Sequence, residues 1–136
     1  MTAPRTPGVA TAVIAAALDA ILIVLFALAG RGSHAEALDL VGVLGTAWPF
    51  LAGAAIGWLA VRAWRRPLAT WPTGVGVWAG ALVVGMALRA LTGQGVALAF
   101  VIVATLTLAL FLIGWRALAA LGSALRTRRR ARAVAH

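Results

Sequence analysis

Apolar residues fall into four long runs separated by short polar interruptions. The runs extend from about Gly8 to Ala29, Leu40 to Val61, Thr73 to Leu91 and Val96 to Trp115. Between the first two lie Gly30, Arg31, Gly32, Ser33, His34, Glu36 and Asp39; between the next two lie Arg62, Arg65, Arg66, Pro67 and Pro72. Thr92-Gly93-Gln94-Gly95 makes a tight turn before the fourth run. About 20 helical residues cross a ~30 Å hydrocarbon core, so each run is long enough to span one. Spanning backbone must satisfy its own hydrogen bonds, and the runs show no alternation of period two, so helices are predicted rather than a β-barrel. The sequence therefore predicts an all-α membrane protein, with four transmembrane helices in a small bundle built from two helical hairpins. Residues 1–7 form an N-terminal segment, 8–116 the transmembrane domain and 117–136 a basic tail.

Charge orients this bundle. The net charge is +9, and every cation is an arginine. Arg5, Arg62, Arg65, Arg66, Arg116 and the tail residues Arg126, Arg128, Arg129, Arg130 and Arg132 share one side of a four-span topology; Arg31 and Arg89 are on the other. Positive charge is retained in the cytoplasm, which predicts N-in, C-in. Trp58, Trp64, Trp71, Trp78 and Trp115 fall near the same inner interface, where indoles prefer to sit. Arginines flanking apolar spans point to topology, not to nucleic acid. Ala27-Leu28-Ala29 has the form of a signal-peptidase site, but the apolar stretch before it is long and holds Asp19, which favours a retained helix. Ile56-Gly57-Trp58 and Ile113-Gly114-Trp115 form a faint internal echo, as do Arg31 and Arg89; shared interface chemistry is explanation enough.

In lipid, helices associate by close backbone approach. Gly45, Pro49, Gly53 and Gly57 place a narrow small-residue face on the second helix, and Gly76, Gly80 and Gly85 offer another on the third. Pro49 leaves the Gly45 carbonyl without its usual helical donor and predicts a kink.

Several strings occur together in order: Asp19, Phe26 and Gly30-Arg31-x-x-His34; Thr46-Ala47-Trp48-Pro49-Phe50-Leu51; Gly57-Trp58; Gly85-Met86-x-x-Arg89; Thr92-Gly93-x-Gly95; Phe100; and Gly114-Trp115-Arg116. With these the chain resembles the domain of unknown function 3054 family, small membrane proteins largely of actinobacteria. The resemblance covers about Asp19 to Arg116 and implies a bacterial plasma-membrane protein. It implies no activity.

Enzyme chemistry is not expected. There are three carboxylates, two histidines and no cysteine, which leaves no catalytic cluster, metal-ligand set or cofactor motif. The candidate intramembrane polar site is Asp19, with Arg89 as its expected ion-pair partner and Thr105 at similar depth. An acid inside a membrane should face the bundle or a wet cavity. Arg31, His34, Glu36 and Asp39 form an outer polar cluster, read as an interfacial collar or as the mouth of a solute path. The basic tail suits anionic lipid. Two functions follow: a small transporter or channel-like protein using the Asp19 region, in which case a homo-oligomer is expected, or a non-transporting structural or accessory subunit docking other membrane proteins through its glycine-rich faces.

Overall fold

The computed structural model describes residues 8–33 and 38–136, and the described chain is helical without strands. His34 and Glu36 of the predicted outer cluster, and Arg5, lie outside the described residues. Helix α1 is Val9–Ser33, α2 is Leu40–Ala60, α3 is Val75–Leu91, α4 is Leu98–Leu108 and α5 is Gly114–Val134. A wide π-type turn, Ala109–Ile113, joins α4 to α5 without a break, so Leu98–Val134 is one continuous 37-residue helix. Four helices are long and apolar enough to cross a membrane. They run up and down, which defines a turn end (Ser33, Thr92–Gly95) and a tail end (Val9, Ala60, Arg116).

The boundaries differ from the hydropathy runs where local chemistry intervenes. Helix α1 continues past Ala29 and takes Gly30, Arg31 and Gly32 into its last turn. The third span begins earlier, at Thr70, through a π-type turn closed by the Gly74 amide on the Ala69 carbonyl at 2.9 Å. The tail is helical to Val134, as one piece with the fourth span. Asp39 caps α2, its carboxylate accepting from the Gly42 amide at 3.3 Å.

The two small-residue faces are packed against each other inside the chain. A Cβ on Gly53 would lie 2.5 Å from the Gly80 carbonyl, and one on Gly57 would lie 2.7 Å from that of Gly76. At Gly85 the intruding group would meet the Phe50 ring at 2.7 Å. Only glycine permits this antiparallel approach of α2 and α3, the closest in the bundle. Gly45, by contrast, has open space at its Cβ position. Above this seam Phe26, Phe50 and Phe100 cluster, with Phe26 set edge-on to Phe50 at 5.3 Å.

Helix α2 runs through Pro49 uninterrupted. The Gly45 carbonyl that Pro49 cannot serve accepts instead from Gln94 Nε2, in the α3–α4 turn, at 3.4 Å. A neighbouring polar group thus supplies the missing donor, the usual way proline is accommodated in a spanning helix.

Candidate functional site: a closed carboxylate node and an open arginine pocket

The expected Asp19–Arg89–Thr105 site does not form. Asp19 is instead bound by Arg116, Trp58 and Trp115. Arg116 Nη1 reaches Asp19 Oδ1 at 2.8 Å and Nη2 reaches Oδ2 at 2.7 Å, a two-point guanidinium–carboxylate pair. Trp58 Nε1 donates to Oδ2 at 2.8 Å, and Trp115 Nε1 donates to Oδ1 at 2.9 Å. Arg116 Nε also donates to the Pro67 carbonyl at 2.9 Å, and Nη1 to that of Leu112 at 2.9 Å. Asp19 is 2% exposed and Arg116 0%. The node therefore ties α1 to α2, to α5 and to the α2–α3 connection. Thr73, also buried, extends the clamp by donating to the Arg66 carbonyl at 2.6 Å.

Side-chain direction explains why Arg116 wins over Arg89. Helical side chains lean toward the helix N-terminus. Asp19 and Arg89 are on parallel helices, so both lean toward the tail end and the gap between them stays open. Arg116 is on an antiparallel helix and leans up to meet Asp19 coming down. Asp19 also lies slightly to the Val9 side of the middle of α1.

The π-type turn completes the arrangement. Ala104, Leu108, Leu112 and Arg116 are all buried, at intervals of four. At 3.6 residues per turn each interval overshoots a full turn by about 40°. Over three intervals Arg116 would swing away from the core by roughly 120°. One wide turn absorbs the overshoot and keeps these side chains on a single face.

Thr105 is used locally: its hydroxyl donates to the Val101 carbonyl at 2.6 Å, and its own carbonyl accepts from Trp78 Nε1 at 3.0 Å. Arg89 is at the turn end, donating to the Gly95 carbonyl at 3.2 Å, to Gln94 Oε1 at 3.1 Å and to the Gln94 carbonyl at 3.2 Å. Its guanidinium lies 4.2 Å from the Phe100 ring centroid, a cation–π contact. Arg31 Nη1 donates to Thr46 Oγ1 at 3.2 Å. Arg31 and Arg89, which the internal echo related, border one cavity of about 500 Å³ together with Thr46, Gln94, Phe26 and Phe100. Of the predicted outer cluster, then, Arg31 lines this cavity and Asp39 caps α2 beside it.

At the tail end Asp19 borders a groove of about 440 Å³ between α1 and α2, whose other lining is mainly apolar: Ala16, Ala20, Ile23, Leu51 and Trp58 among them. Among the described residues no group of three or more metal-ligating side chains is brought together.

Both sites fall within the stretch that decides the family. Residues 16–119 match the DUF3054 family, described as protein of unknown function. The chain belongs to the DUF3054 family. No curated protein and no solved structure matches it. The DUF3054 match takes in Asp19, Trp58, Arg116, Arg31 and Arg89 and ends before the run of tail arginines.

Sequence reasoning missed the two indole donors. Trp58 and Trp115 read as interfacial anchors, yet they are the paired members of the Ile-Gly-Trp echo and converge on one carboxylate. The echo itself, with an acid at comparable depth, was the available signal.

Proposed function

We propose that this DUF3054 protein is a multi-pass plasma-membrane protein with both termini cytoplasmic, acting as a non-transporting structural or accessory subunit. The observation that carries this is the closure of Asp19: both carboxylate oxygens accept from buried or half-buried donors on other helices. A carboxylate that serves a translocated solute or proton must exchange partners with water. Here every partner is a donor fixed by the fold, and the groove beside it is apolar. The glycine faces support intramolecular assembly, not docking, because each covers the other.

The remaining element suited to a partner is α5. Its arginines at 126, 128, 129, 130 and 132 spread over about 200° of the helix surface at about 100° per residue, a broad basic face. The node sits where this helix leaves the bundle and so fixes its direction of exit. The basic helix then meets anionic lipid or an acidic partner at the cytoplasmic surface. The same node argues for retention of α1, since cleavage after Ala29 would remove Asp19 and strand a buried arginine.

The absence of native cysteine makes the test clean. Ala15, fully buried one turn from Asp19, is replaced by cysteine and exposed to a hydrophilic maleimide in membranes opened so that the reagent reaches both faces, with Gly93→Cys as the accessible reference. A dry node predicts no labelling of A15C. Labelling at a rate comparable to G93C would reveal a water path and return the transport reading.

A further inference from the structure

We infer that the furrow between α1 and α2 is a binding site for one anionic phospholipid, with an acyl chain laid along the furrow and the phosphate at Arg65. Two cavities, of about 440 and 600 Å³, share Ala16, Trp58 and Trp64 and so adjoin as one furrow. Each lies in the range of small-ligand pockets, roughly 300–1,000 Å³. On the α1 side the lining runs from Gly8 to Ile23. At ~1.5 Å per residue that is about 22 Å. Half of a bilayer ~40–45 Å thick is about 20–22 Å. The furrow therefore has the length of one lipid molecule in its leaflet.

The furrow is polarised along this length. Its inner part is lined by Ala20, Ile23 and Leu51, and by Asp19, both of whose oxygens are already held. Trp58 lines both cavities while its Nε1 is committed to Asp19, so it offers the furrow carbon surface. Asp19 repels an anion from this part, whereas an acyl chain fits it. The outer end carries Arg65. The backbone is shaped to put it there. Arg62 takes φ of 51°, a left-handed value uncommon outside glycine, and the single turn Ala63–Arg65 follows with Ala63 buried. Trp64 and Arg65 thereby join the wall of the furrow. A guanidinium suits phosphate, and indoles settle at headgroup level. Basic pockets between spanning helices hold anionic headgroups. A second copy in the same membrane orientation would instead bring its own Arg62, Arg65 and Arg66 to the same depth, which like charge opposes.

The site does not depend on the dryness of the node or on which side the tail faces. Full-length protein is assembled in nanodiscs of phosphatidylcholine and phosphatidylglycerol in equal amounts, and the lipid kept on release is identified by native mass spectrometry. The expected result is one phosphatidylglycerol retained in preference to phosphatidylcholine. Arg65→Gln should weaken that preference roughly tenfold, the effect of one charge-assisted hydrogen-bonding group. Ala16→Trp keeps Arg65 but fills the furrow, and should abolish retention. Ala16 and Arg65 are exposed, so both variants should assemble. If A16W does not, Ala55→Trp, on the facing wall of the furrow, decides. R128Q/R130Q, in the tail, should retain the lipid as the wild type does. Equal retention of the two lipids, or retention of phosphatidylglycerol unchanged by A16W and A55W, overturns the site. So does a dimer that A16W splits, which would make a second copy the occupant.

Discussion

The two ends of the bundle use the same side chain in opposite ways. At the tail end Arg116 is sealed from solvent, and its named bonds go to one carboxylate and two carbonyls. At the turn end Arg31 and Arg89 are half-buried and border a cavity, and their contacts include a hydroxyl, a side-chain amide, carbonyls and an aromatic face. Guanidinium chemistry is identical in the two places. What differs is burial: the fold takes Arg116 and its carboxylate fully into the interior and leaves Arg31 and Arg89 half-exposed around a cavity. In the first setting removal of a partner strands a buried charge; in the second it costs little stability and alters what the surface attracts.

The comparison breaks most readily at the node. Arg116→Gln or Asp19→Asn should each destabilise the bundle by about 3–5 kcal/mol, the cost of leaving one member of a buried pair alone. The D19N/R116Q double variant should be more stable than the sum of the single losses implies, because neither charge is then orphaned. Arg89→Gln in the same unfolding assay should change stability by less than about 1 kcal/mol. Equal losses for R116Q and R89Q would erase the distinction between the two ends.

A smaller effect sharpens the role of the indoles. Trp58→Phe preserves an aromatic ring but removes the donor to Asp19 Oδ2, and should cost roughly 1–2 kcal/mol. Trp64→Phe, in the exposed part of the neighbouring groove, is the control and should be close to neutral. If the two substitutions cost the same, Trp58 acts by bulk at the interface and the node is a simple ion pair. In the D19N background the penalty of W58F should shrink, since the acceptor is then neutral and the bond is no longer charge-assisted.

Much of this architecture was legible in the sequence. Four apolar runs of spanning length fix four helices, and Gly53, Gly57, Gly76 and Gly80 announce two narrow faces, although spacing alone does not say that each meets the other. Asp19 stood out because an acid within an apolar run is costly. Its partner was missed for a geometric reason. Depth along the helix axis favours Arg89, but Asp19 itself leans toward its helix N-terminus, and on antiparallel helices that lean closes the distance to Arg116. The π-type turn at Ala109–Ile113 has no proline or glycine within it to announce it, and without it Arg116 would not share a face with Ala104. The internal echo had more content than shared interface chemistry gave it: Trp58 and Trp115 meet at Asp19, and Arg31 and Arg89 border one cavity.

The finest contrast between the two ends lies in Gln94. This residue links the pocket to the proline of α2: its side-chain oxygen accepts from Arg89, and its nitrogen donates to the Gly45 carbonyl that Pro49 leaves unserved. The contact to Gly45 is long, 3.4 Å, and lies on the exposed side of the bundle, where water can substitute. Gln94→Ala should therefore cost only about 0.5 kcal/mol, near the average for polar contacts between spanning helices. Its consequence should appear in order rather than in stability. With the side-chain acceptor gone, Arg89 keeps its bonds to the Gln94 and Gly95 carbonyls and its stacking on Phe100, but loses one of the groups that hold its plane. Amide hydrogen exchange of the Thr92–Gly95 turn should rise in Q94A while exchange around Trp115 and Arg116 stays as in the wild type. A loss of several kcal/mol, or faster exchange that spreads to the node, would mean that the turn end is as much a structural lock as the tail end.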